Sequence, residues 1–106
     1  MSSASTHVLD AVLGTPAVGL AVELVGADGR TLQSAVTDAD GRVGWSADLS
    51  PGVHTLIWAT GPWFAAAGRE TFFPTVSVTF TVETARPHVH VALLLSPFAY
   101  TAYRGS

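Results

Sequence analysis

Two histidines, His88 and His90, stand one residue apart inside the apolar run from Arg86 to Pro97, RPHVHVALLLSP. An imidazole titrates near pH ~6.5, so it can take a proton from water or return one to a leaving group at neutral pH. On an extended strand alternate side chains share a face. His88, His90, Ala92 and Leu94 would then look one way, and Val89, Val91, Leu93 and Leu95 the other. The same spacing suits zinc, which needs at least one further ligand and, in a catalytic centre, a fourth position left to water. His7 could complete such a set, so the residues alone leave zinc ligation and general-base catalysis side by side. Both compete with a plainer reading in which the pair is structural or solvated.

The other candidates are weaker when taken singly. Arg42 follows Asp38-Ala39-Asp40-Gly41 and could offer a planar fork of donors to developing negative charge, or simply lie solvated beside a hairpin turn. The Asp-x-Asp-Gly run lacks the third carboxylate and the closing glutamate of a calcium loop, so an ordinary turn is expected there. His54, between Val53 and Thr55, reads as structural. Arg104 and Ser106 would on their own pass for a frayed tail. Neither a Gly-x-Ser-x-Gly elbow nor a glycine-rich phosphate loop is present, so serine acyl chemistry and nucleotide binding lose ground. Cysteine is absent, which removes thiolate nucleophiles, disulfides and cysteine metal sites.

The elements that must position these groups are short strands. Val8–Leu13 has strand propensity and closes on the turn residues Gly14-Thr15-Pro16. Val18, Leu20, Val22 and Leu24 alternate with smaller or polar residues and predict one buried face. Asp28-Gly29 turns the chain into a partner strand through Leu32, Ser34 and Val36. Arg42–Trp45 is a further short strand. Val53–Ala59, apolar on both faces, predicts a strand covered on both sides. In 60–68 a cap at Thr60 or Gly61, a first-turn Pro62, three alanines and a closing Gly68 predict the one short helix. Val76, Val78, Phe80 and Val82 alternate with Ser77, Thr79, Thr81 and Glu83, a strand with one wet face. After His88–Leu95, Ser96-Pro97 breaks the run and Phe98–Tyr103 returns. Seven to eight short strands with turns between them predict an all-β antiparallel sandwich.

The chain has 106 residues, enough for one domain over 1–106 with a single core. Hydrophobic residues make up 48% and charged ones 12%, which predicts that some surface meets another chain. Its net charge is −3, and all five basic residues are arginines scattered without a stripe, which argues against nucleic acid or an anionic membrane as partner. No basic-then-apolar leader, spanning run or Ser-Lys-Leu ending is visible, so a cytoplasmic protein is expected.

Several segments together resemble the transthyretin-like family. These are Thr6-His7-Val8-Leu9-Asp10 with Gly14-Thr15-Pro16-Ala17, Thr37 to Arg42, Thr60-Gly61 with Trp63-Phe64, Thr71-Phe72-Phe73-Pro74, and the end from His88 to Tyr103-Arg104-Gly105-Ser106. The terminal Tyr-Arg-Gly-Ser is similar to that of the family's enzyme branch, the 5-hydroxyisourate hydrolases of purine breakdown. The family's histidine pair is usually separated by tyrosine and followed by Val-Pro; here Val89 separates the pair and Ala92 replaces the proline.

The resemblance implies a transthyretin-like sandwich with one short helix after the fifth strand. It also implies metal-independent and cofactor-free hydrolysis of 5-hydroxyisourate to 2-oxo-4-hydroxy-4-carboxy-5-ureidoimidazoline in urate degradation. By position it implies His7, Arg42, His90 and Ser106 as catalytic residues, and His7, Arg42, Tyr103 and Arg104 as substrate-binding ones. It implies no comparably firm role for His88. Finally, it implies a homotetramer with sites where dimers face each other. A non-catalytic carrier of a small ligand is the competing expectation. Between Tyr103 and Ser106, which a regular strand would turn to opposite faces, a bend at Gly105 is expected.

Overall fold

Branched apolar side chains alternating with small or polar ones hold most of this chain extended. The computed structural model, which describes residues 2–106, stacks the strands into two sheets. The strands are β1 (Ser3–Asp10), β2 (Thr15–Pro16), β3 (Ala21–Val25), β4 (Thr31–Val36), β5 (Arg42–Gly44), β6 (Gly52–Trp58), β7 (Val76–Val82), β8 (His88–Leu95) and β9 (Tyr100–Gly105). One helix, α1 (Thr60–Ala66), follows β6. In one sheet β1 lies between β8 on one side and both β2 and β5 on the other, and β9 forms the far edge beyond β8. The second sheet runs β4-β3-β6-β7. Every named pairing is antiparallel except β1 with β8, which run parallel. The strand beyond the eight legible in sequence is β2, whose two residues are too short to display a period.

Between the sheets lie Val8, Leu20, Val22, Leu24, Leu56, Trp58, Phe64, Leu93 and Leu95, all essentially solvent-free. Full burial of a side chain of this kind contributes about 1.5–3 kcal/mol. In β8 the alternation holds as expected: Val89, Val91, Leu93 and Leu95 are in the core while His88 is exposed and His90 half-buried. β7 keeps its wet face of Ser77, Thr79 and Thr81. His54 is buried, with Nδ1 3.3 Å from the Gly52 carbonyl and its ring 6.1 Å from that of Phe80.

Several local expectations are corrected. β1 spans Ser3–Asp10 rather than Val8–Leu13, because Oδ1 of Asp10 accepts the amides of Val12 and Leu13, each at 3.0 Å, and turns the chain. The other oxygen of that carboxylate takes Nη1 of Arg69 at 2.6 Å, tying the end of β1 to the segment after α1. Val18 is 51% exposed and lies before β3, cut off from it by Gly19 at φ 75°. Thr60 does not cap α1; its hydroxyl donates to the Phe73 carbonyl at 2.7 Å. The outer face of β6 is open at Val53. The returning strand starts at Tyr100 rather than Phe98 and continues through Arg104 to Gly105, so the chain up to Gly105 is paired sheet.

Candidate active site

The parallel pairing of β1 with β8 is what assembles the site. Its register sets Ser3 opposite His88, Ser5 opposite His90 and His7 opposite Ala92. Directly opposed residues share a face of the sheet, and the neighbouring strands extend each row. One row reads Arg42 (β5), His7 (β1), Ala92 (β8), Tyr103 (β9); the next reads Gly44, Ser5, His90, Gly105. Neighbouring strands lie about 4.8 Å apart, and His7 and His90 are diagonal neighbours across the β1–β8 pair. Both rows lie on the outward face, opposite the core-facing Thr6, Val8, Val89 and Val91. Four of the six residues anticipated from the sequence thus fall on one surface: His7, Arg42, His90 and Tyr103. Ser106 follows directly on Gly105 and lines the same open cleft of ≈ 470 Å³ as His88, His90 and Tyr103.

Arg104 departs from this set. Its register partner is Val91, a core residue, so its side chain leaves β9 on the opposite side from Tyr103. It lines the mouth between the sheets with Phe80, Glu83 and Val89, and it also borders the outward cleft with His88 and His90. Gly105 also has a different role from the expected bend. It lacks a positive φ and stays within β9; a Cβ at this position would collide with Cδ2 of the His90 ring. Glycine is needed there for space.

Arg42 is delivered by a turn built for it. Oδ1 of Asp38 accepts the amides of Asp40 and Arg42, each at 2.9 Å, and these bonds hold the Asp38 carboxyl below the usual range. Gly41, at φ 73°, packs so tightly on β1 that a Cβ would strike the Val8 carbonyl, and its own carbonyl accepts the Val8 amide at 2.8 Å. The turn therefore presses against β1 and sets Arg42 beside His7.

Two residues overlooked in the sequence contact the histidine pair, Ser3 touching His88 and Ser5 touching both. Ser3 Oγ lies 2.7 Å from Nδ1 of His88, and Ser5 Oγ lies 3.0 Å from Nε2 of His88 and 2.7 Å from Nδ1 of His90. The alternation Ser3, Ser5, His7 was the available signal. His90 titrates below the ordinary histidine value, mainly because it is partly buried and then because Arg42, His7 and His88 disfavour a positive charge. It is accordingly neutral at pH 7, with Nδ1 engaged by Ser5 and Nε2 free of the serine contact. Among the described residues no three histidine, aspartate or glutamate side chains converge as a metal site requires.

An arginine fork and two imidazoles thus lie on one sheet face, laid out by a parallel first-to-penultimate strand pair. A family model described as HIUase/Transthyretin covers residues 4–105. The chain belongs to that family. It is 42% identical over 111 residues to a Caenorhabditis elegans protein named as a probable 5-hydroxyisourate hydrolase, covering 99% of this chain and 82% of that one. The solved structure of Klebsiella pneumoniae 5-hydroxyisourate hydrolase superposes with a TM-score of 0.90 at 42% identity, covering 100% of this chain and 94% of the other. Sea bream transthyretin in complex with thyroxine superposes with a TM-score of 0.86 at 32% identity, covering 96% and 93%. Family membership confirms the transthyretin-like sandwich expected from the sequence. Both a hydrolase and a thyroxine-bound protein share that fold.

Proposed function

We propose that this chain hydrolyses 5-hydroxyisourate, opening its ring amide with a water activated by imidazole. The observation that carries the reading is the outward face on which Arg42, His7 and Tyr103 share one row and His90 stands in the next. The hydrolase relatives, alike over nearly the whole chain, support the same reaction. His90 is the favoured base, because its neutral form prevails at pH 7 and its Nε2 remains free of the serine contact. His7 orients the ring or returns a proton to the leaving nitrogen. Arg42 offers parallel N–H donors to the charge that develops on the carbonyl oxygen or spreads over the ring. Tyr103 and Ser106 hold the ring or the water.

The proposal includes an assembly. One chain supplies only a floor, so a homotetramer in which two dimers face each other across this surface would close the site. Its support is the outward position of the rows, the exposed apolar side chains, and the unpaired edges of β7 and β9. Sedimentation at assay concentration checks it, and a fully active monomer would rule it out. A cytoplasmic setting completes the proposal and is checked by cell fractionation. No helix among the described residues is long and apolar enough to cross a membrane.

The function is tested with freshly generated 5-hydroxyisourate, whose ultraviolet absorbance decays on its own in buffer. Catalysis appears as faster decay. Decay at the buffer rate would favour the second reading, a small-ligand carrier, for which the likeness to thyroxine-bound transthyretin speaks.

A further inference from the structure

Ser3, His88, Ser5 and His90 form an unbroken hydrogen-bonded line across the outward face, yet hydrolysis as described uses only its last member. Hydroxyl and imidazole alternate in a zigzag between β1 and β8, with steps of 2.7, 3.0 and 2.7 Å. One end, at Ser3 and His88, is exposed; the other, at His90, is half-buried in the site. The line admits two proton arrangements in which every hydrogen bond is made. In the first, His90 donates from Nδ1 to Ser5, Ser5 donates to Nε2 of His88, and His88 donates from Nδ1 to Ser3. In the second every donor and acceptor is exchanged, and His90 carries its proton on Nε2. Passing from one to the other moves a proton from the site to solvent without leaving a charge behind.

Resting on the hydrolase reading, we infer that this line is a proton relay in which His88 and Ser5 are positioning residues for His90. As the water oxygen bonds to the ring carbonyl carbon, Nε2 of His90 takes the water's proton. His90 gives its Nδ1 proton to Ser5, Ser5 passes its hydroxyl proton to Nε2 of His88, His88 gives its Nδ1 proton to Ser3, and Ser3 releases its own to solvent. Each side chain ends with as many protons as it began with. When the C–N bond breaks, the shift runs backwards: a solvent proton enters at Ser3 and the Nε2 proton of His90 goes to the leaving nitrogen. The net proton change is zero.

The advantage is electrostatic. An isolated base would have to become imidazolium at a partly buried position facing Arg42 from β5, His7 from β1 and His88 from its own strand. A relay keeps His90 neutral throughout. It also gives a reason for two serines at positions where the outer face of β1 would accept other small or polar residues.

The test compares the whole protein with Ser5→Ala and His88→Gln, both on the outer surface of a paired strand and checked for folding by circular dichroism. Turnover is expected to fall about 10- to 100-fold in each, less than the ~10²–10⁴ of losing the base itself, with KM little changed. Ser5→Thr, which keeps the hydroxyl, should restore most of it. In mixtures of light and heavy water the wild-type rate should follow a bowed curve, several protons moving together, and Ser5→Ala a straight one. Normal turnover in both variants, or a straight wild-type curve, would overturn the relay. Nitrogen NMR of the resting protein needs no substrate: Ser5→Ala should shift the balance of His90 tautomers, and unchanged ring-nitrogen shifts would also overturn it. Failure of the hydrolase reading looks different, because the wild type itself would then leave 5-hydroxyisourate decaying at the buffer rate.

Discussion

The two sides of β9 offer a ligand very different surroundings. On the outward side, Tyr103, Gly105 and the following Ser106 adjoin the histidine pair in an open cleft of ≈ 470 Å³. On the inward side, Ala102 and Arg104 adjoin Phe80, Val89 and Val91 in a narrower mouth of ≈ 310 Å³ between the sheets. The second is the more conventional ligand pocket, walled by apolar side chains. No imidazole lines it, although His88 borders a small adjoining cavity together with Arg104 and Glu83. A hydrolase needs a base and an anion fork on one surface, and the outward face has both. On this sandwich, shape and chemistry point to opposite sides of a single strand.

The largest break in that comparison should come from His90→Ala, which is expected to cut turnover by ~10²–10⁴ and leave the fold intact. Steady-state rates with circular dichroism check it, and a near-normal rate would return attention to the inward mouth. Next comes Gly105→Ala. The added methyl collides with the His90 ring, and displacing a catalytic group by about 1 Å costs about 10²-fold. Turnover should therefore drop although no functional atom is removed, and an unaffected rate would show that the ring need not lie where it does.

Acid sharpens the contrast further. His90 titrates below the ordinary value, chiefly through burial and then through Arg42, His7 and His88. Its neutral, competent form therefore persists below pH ~6.5, and kcat/KM should fall tenfold per unit only below that point. The unfolded chain protonates its histidine at the ordinary value while the folded one resists. Stability is accordingly lost as pH falls through the window between the two. A pH–rate profile inflecting at or above ~6.5 would contradict the assignment of His90 as base. The smallest effect is expected of Arg104→Ala, on the other side of the strand, which should leave turnover near wild type in the same assay. A large loss would mean that Arg104, which borders both cavities, takes part.

Much of this was legible in the sequence. Period-two alternation told the buried valines of β8 from its histidines, because neighbouring side chains on a strand cannot share a face. That same rule separates Tyr103 from Arg104, although the family pattern groups them. The rows themselves could not be read. His7 and Arg42 are 35 positions apart in the chain and Ser5 and His90 are 85 apart, and their register is set by how β1 packs between β5 and β8. Ser3 and Ser5 passed unnoticed because small polar residues on an outer face carry no hydrophobic signal. The role of Gly105 depends on where another side chain lies, which local sequence does not encode.

The central claim is that ligand binds on the outward side of β9. A crystal structure of the protein with a urate-like purine analogue tests it most directly. The account predicts the analogue on the histidine face, within hydrogen-bonding reach of His90 Nε2 and the Arg42 fork. An analogue seated between the sheets against Phe80, Val89 and Arg104, with the histidine face empty, would contradict it.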